Sequence, residues 1–91
     1  MPMFILGQDF WELEAVDKLC SSENSKKLTP INTQITCQQQ CLTIYSDECV
    51  GITYSGNNSA TQDCQICFAD DLIDDTSGLH FGFYRRPGTR N

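Results

Sequence analysis

The chain has 91 residues, twelve Asp and Glu against six Lys and Arg, a formal net charge of −6, and six cysteines. This length supports one small domain, near the size at which apolar burial alone is marginal. The acidic balance argues against nucleic acid or another polyanion as partner, because such chains are bound by neutralising them with Lys and Arg. No run approaches the ~20 apolar residues of a spanning helix, so no membrane insertion is expected.

The cysteines, at positions Cys20, Cys37, Cys41, Cys49, Cys64 and Cys67, are dense and even in number. They read as a disulfide framework, and so as a secreted, extracellular protein. Residues 1–7 (MPMFILG) are apolar but too short for a signal-peptide core and lack a basic start. A secreted protein is therefore expected here in mature or shortened form, its leader removed. In a reducing cytosol the same thiols would instead be metal ligands or reactive groups.

Along the chain, Trp11, Leu13 and Ala15 alternate with acids and predict an N-terminal strand. Residues 20–30 (CSSENSKKLTP) read as loop or turn. Within 31–47, Cys37, Cys41, Ile44 and Tyr45 fall at i, i+4, i+7 and i+8, one face of an α-helix, with Gln38, Gln39 and Gln40 turned away from it. Asn32 or Thr33 can serve as N-cap; Thr36 with Gln39 is a capping box that would start the helix a turn later. Residues 49–54 (CVGITY) are β-branched and aromatic and predict a strand. A turn cluster, 55–59, and a return strand, 64–68, make a long-looped hairpin. Residues 70–78 read as an acidic loop or single helical turn, 80–85 as a closing strand, and 86–91 as a frayed tail.

Residues four apart on a helix share a face, so Cys37 and Cys41 both reach down to the hairpin beneath, one to each strand. That geometry suggests Cys41 with Cys49 and Cys37 with Cys64. Cys67 lies three residues from Cys64 and hence on the opposite sheet face, where Cys20 is the partner left. Each bridge is worth about 2–4 kcal/mol.

The run Cys37-Gln-Gln-Gln-Cys41, then Cys49-Val-Gly-Ile-Thr-Tyr54, then Cys64-Gln-Ile-Cys67 and a closing Phe83-Tyr84-Arg85 resembles the PAN/apple module over roughly residues 20–87. The resemblance implies an α+β fold in which a five-stranded antiparallel sheet cradles one helix. It also implies two bridges matching Cys37 to Cys64 and Cys41 to Cys49. Apple domains with a third bridge commonly join the two ends of the module. This chain has no cysteine after Cys67, so Cys20 to Cys67 rests on the sheet-face geometry. The expected organisation is a single PAN/apple-like domain over 1–91, with one central helix packed on a small antiparallel β-sheet.

Cys37-x-x-x-Cys41 with Cys64-x-x-Cys67 has spacing a zinc site accepts, yet it leaves two cysteines unused. The Cys-x-x-Cys sits inside a strand rather than opening a helix, which disfavours a redox role. His80 is the sole candidate base and reads as a sheet-edge residue. Asp70, Asp71, Asp74 and Asp75 lack the alternating calcium-loop pattern and read as a solvated acidic loop. Asn57-Asn58-Ser59 is an N-glycosylation sequon in a predicted exposed loop, making Asn57 the acceptor. Arg85, Arg86 and Arg90 are the basic cluster, read as a solvated tail. Trp11, Tyr45, Tyr54 and Tyr84 are candidates for a sugar-stacking platform.

The expectation is a secreted, non-catalytic binding module without cofactor or metal, recognising a protein or a neutral glycan. Tyr54 and Tyr84, near the sheet edge, and Arg85 and Arg86 are its candidate contacts. The rival reading is a stand-alone structural or matrix protein, or a secreted cysteine-rich effector, using the same fold.

Overall fold

The computed structural model describes residues 10–31, 33–57 and 62–88. Its centre is the Cys49–Phe68 region. Strand β4 (Gly51–Tyr54) and strand β5 (Cys64–Cys67) pair antiparallel, as their β-branched and alternating residues favour. On the other side of β4 lies the C-terminal strand β7 (Gly82–Arg85), and outside that β1 (Glu12–Val16). Strand β3 (Ser25–Leu28) closes the opposite edge against β5, giving a five-stranded antiparallel sheet of order β1-β7-β4-β5-β3. A separate two-stranded ribbon joins β2 (Lys18–Cys20) to β6 (Leu72–Asp74).

Because side chains alternate along a strand, each central strand feeds two layers. Ile52, Cys64 and Ile66 face the helix α1 (Gln34–Thr43) and pack with Ile31, Cys37, Cys41 and Cys49, flanked by Trp11, Leu28, Tyr45, Tyr54, Phe68 and Tyr84. Cys67 and Phe83 face the ribbon and pack with Cys20, Ala15, Val50 and Leu72. The Phe83 ring lies directly over Gly51: a Cβ there would sit 2.7 Å from the ring and 2.6 Å from the Tyr84 carbonyl oxygen. Only glycine allows that approach. The fold is thus α+β, one helix and one ribbon on opposite faces of a single sheet.

Three bridges fasten these layers: Cys37–Cys64 and Cys41–Cys49 on the helix side, and Cys20–Cys67 on the ribbon side, with Cα–Cα separations of 6.4, 5.5 and 5.9 Å. All six sulfurs' residues are at most 2% exposed. The helix starts at Thr33, whose hydroxyl accepts the Thr36 N–H at 3.1 Å; Asn32, the other candidate cap, lies outside the described residues. At its end Ile44 and Tyr45 both donate to the Gln40 carbonyl, and the chain turns away.

The structure corrects several expectations. Residues 20–30 are not simply loop, since a 3-10 turn (Ser22–Asn24) leads into β3, the fifth strand of the sheet. Its two lysines, polar and exposed, suit an edge strand and hide it from any apolar-alternation test. The acidic segment contains β6. A register shift between Leu13 and Ala15 puts these residues opposite Tyr84 and Phe83 respectively, hence on opposite faces, so the alternation Trp11-Leu13-Ala15 does not run through β1. Ile44, the C-cap of the helix, is 65% exposed rather than buried with the cysteines. His80 precedes β7 with a φ of 62° and is not a strand residue.

Candidate functional site

On β5 the two residues facing the ribbon are Gln65 and Cys67, and Gln65 is the hinge of that side. Its Oε1 accepts from the Cys20 backbone N–H at 2.9 Å and the Thr53 hydroxyl at 2.8 Å. Its Nε2 donates to the Cys20 carbonyl at 2.9 Å and to the Ser25 hydroxyl at 3.2 Å. One amide therefore ties together groups on β2, β3 and β4 through four partly buried hydrogen bonds.

Beside Gln65, between edge strand β3, the ribbon and the chain entering β7, lies a cavity of about 240 Å³. Leu19, Leu79 and Phe81 supply apolar wall, while Lys27 and Asp63 are the charged residues lining it. These two pair at 3.0 Å, the Asp63 carboxylate 11% exposed and the Lys27 side chain 68%. The wall carrying Leu79 and Phe81 is held by local hydrogen bonds. Asp75 accepts the Ser77 N–H at 2.9 Å and the Phe81 N–H at 3.0 Å, the Ser77 hydroxyl accepts the Leu79 N–H at 3.1 Å, and the Ser55 hydroxyl donates to the Leu79 carbonyl. Burial pushes the Asp75 carboxyl up, but hydrogen bonds from Ser77 and Phe81 and the charge of His80 outweigh it, and the pKa falls below the ordinary value.

Two other acids of that segment, Asp70 and Asp74, form surface ion pairs, and Asp71 is exposed. Asp74 pairs with Lys18 at 2.5 Å and Asp70 with Arg85 at 2.9 Å; in each case the hydrogen bond from the basic partner holds the carboxyl below its usual pKa. Among the described residues no cluster of metal-ligating groups forms. Cys64 and Cys67 belong to different bridges on opposite sheet faces, so their spacing does not converge on one thiolate site.

The residues singled out from sequence are dispersed. Tyr54 and Tyr84 lie on β4 and β7, inner strands of the sheet rather than its edge, half-buried against the helix-side core. Arg85, only 17% exposed, bonds Glu14 at 2.8 Å and Asp70 at 2.9 Å and lies 5.6 Å from the Phe83 ring centre. Arg86 donates to the carbonyls of Ser46 and Cys49, at 2.6 and 3.0 Å, and pins the chain that follows the helix. Neither is a solvated tail residue; Arg90 lies outside the described residues. Tyr45 tilts against Phe68 at 6.1 Å, and Trp11 is half-buried. Asn57 is exposed, its N–H donating to Ser55 at 3.0 Å, while Asn58 and Ser59 of the sequon lie outside the described residues. His80 meets Asp17 at 2.9 Å on the surface, and among the described residues no serine or threonine hydroxyl bonds its ring.

Sequence reasoning passed over the cavity residues because they come from β2, β3, the start of β5 and the 75–81 segment. The local signal was thin: Leu79 and Phe81 flank His80, two apart, just before the closing strand. No described helix is long and apolar enough to cross a membrane. Comparison of the chain with protein-family models, with curated proteins and with solved structures finds no match.

Proposed function

We propose that this chain is a non-catalytic, extracellular binding module of the PAN/apple type that recognises a protein or a neutral glycan. What carries this reading is one arrangement. A helix is bridged by Cys37–Cys64 and Cys41–Cys49 onto a five-stranded antiparallel sheet, with no free thiol anywhere among the six cysteines. Buried bridges of this density suit an oxidising compartment and a small scaffold that cannot rely on core size. The third bridge fastens the β2–β6 ribbon instead of joining the chain ends, a departure that gives the ribbon side a rigid wall for a cavity. That cavity, mostly apolar with two charged groups, is the kind of concavity in which ligands are bound.

The test is retention on a glycan array and on immobilised extracellular proteins from the native source, using the oxidised domain and a Leu79→Glu variant that fills the cavity with charge. The expected result is a protein or neutral-glycan ligand held by the parent and lost by the variant, with no retention on heparin at physiological salt. Arg85 and Arg86 are committed to internal partners, and the net charge of −6 opposes a polyanion. Tight heparin retention, or no ligand in either format, contradicts the proposal.

A further inference from the structure

Helix α1 carries apolar residues on two sides. Cys37 and Cys41 face the sheet and are fully buried, while Ile35 and Leu42, on the outer side, are 66% and 41% exposed. Ile35, Gln39 and Leu42 are spaced i, i+4 and i+7, so they form one stripe, flanked by Gln38. The stripe lies in an uncharged stretch. From Leu28 to Ser46 the sequence has no Asp, Glu, Lys or Arg, and the next acids, Asp47 and Glu48, come after the helix has ended. Exposed aliphatic side chains in a charge-depleted surface are the composition of the centre of a protein interface.

Two properties point to a second copy of this chain as the occupant. Copies with a net charge of −6 repel one another, and least where the facing surface carries no charge. The stripe is also self-complementary, because it reads apolar, Gln, apolar from either end. Across a two-fold axis, Ile35 of each copy then meets Leu42 of the other, beside the paired glutamines. In that antiparallel arrangement Asp47 and Glu48, beyond each helix C-terminus, lie towards the positive N-terminal end of the other copy's helix.

We propose that the outer face of α1 is a homodimer surface, two copies packing these helices antiparallel with Ile35 against Leu42 of the other copy. The helix and the ribbon lie on opposite faces of the sheet, so the dimer leaves the ribbon-side cavity of each copy open and is bivalent for its ligand. One ten-residue helix supplies less than the about 800 Å² per partner of a standard interface, so the dimer is weak, with a Kd on the order of hundreds of micromolar.

The experiment is sedimentation equilibrium of the oxidised full chain at physiological salt, over concentrations bracketing that Kd, with backbone amide NMR at both ends of the range. A monomer–dimer equilibrium is expected, with concentration-dependent shifts centred on Ile35, Gln39 and Leu42. Ile35→Lys alone and Leu42→Glu alone each bury unpaired charges and should weaken association roughly tenfold or more. Both substitutions in one chain set opposite charges face to face and should restore association, now weakened by added salt. Both positions are exposed, so the variants keep the fold, which the same spectra check. A chain monomeric throughout, which would leave the face to a different partner, overturns the assignment. So do shifts centred on β1, where Leu13 and Val16 are also exposed, indifference to either single substitution, or a double variant no better than the singles. None of these outcomes bears on the binding-module reading, which the array and extracellular-protein experiment decides.

Discussion

On the helix side of the sheet, two bridges and an aliphatic cluster of Ile31, Ile52 and Ile66 hold α1 in place. On the ribbon side, a single bridge, the fully buried Phe83 and the four hydrogen bonds of Gln65 do the corresponding work. The helix satisfies its own backbone and needs only an apolar seat. A two-stranded ribbon of three-residue strands has little area to bury and depends on its covalent and polar ties. The cavity lies on the side held by those ties.

The largest effect that would break this contrast is loss of the ribbon bridge. Cys20–Cys67 spans 47 residues and Cys41–Cys49 only 8. Loop-closure entropy then ranks Cys20→Ala with Cys67→Ala at about 4 kcal/mol and Cys41→Ala with Cys49→Ala at about 2.5 kcal/mol. Denaturant unfolding should show the first variant markedly less stable, and the second weakened without change of fold. Equal losses would mean that the ribbon is held by something other than its bridge.

A smaller effect sharpens the same point. Gln65→Leu keeps the volume but leaves the Cys20 N–H and C=O without the amide partner, and should cost about 2 kcal/mol. On the other face Ile66→Val, at a fully buried site, should cost about 1 kcal/mol. Thermal melts of the two variants settle the order, and Ile66→Val being the costlier would reverse the roles given to the faces.

The smallest effect is acidic. Asp70, Asp74 and Asp75 all have depressed pKa values in the fold, by bonds to Arg85, Lys18, and Ser77 and Phe81. A depressed carboxylate contributes stability above its ordinary pKa, 3.8 here, and that contribution is lost as pH falls through the folded value. These groups lie near the surface, so the loss is modest. Hydrogen exchange below pH 4 should show the amides of β2 and β6 losing protection before those of β4 and β5. Simultaneous loss would tie both faces to one cooperative unit.

The sequence made the helix side far more legible than the ribbon side, for physical reasons. Cys37 and Cys41 share a helical face whatever the rest of the chain does, and Cys64 and Cys67 fall on opposite sheet faces by the period of a strand. The bridges seen in the structure obey those two periodicities, which by themselves leave open which of Cys64 and Cys67 faces the helix. Strand β3 was hidden because an edge strand carrying Lys26 and Lys27 has no apolar alternation to detect. Strand β6 is three residues inside an acidic run, too short for any pattern to emerge. Arg85 and Arg86 look like a basic tail in one dimension. They become internal ties only when Asp70, Glu14 and the Ser46 and Cys49 carbonyls are brought to them by the fold.

Disulfide mapping of the oxidised protein tests the two-faced sheet most directly. Protease digestion without reductant, with fragmentation of the peptide between Cys64 and Cys67, should give Cys37 joined to Cys64, Cys41 to Cys49 and Cys20 to Cys67. A Cys37–Cys67 or Cys20–Cys64 linkage would put the helix and the ribbon on the wrong faces of β5 and contradict the account.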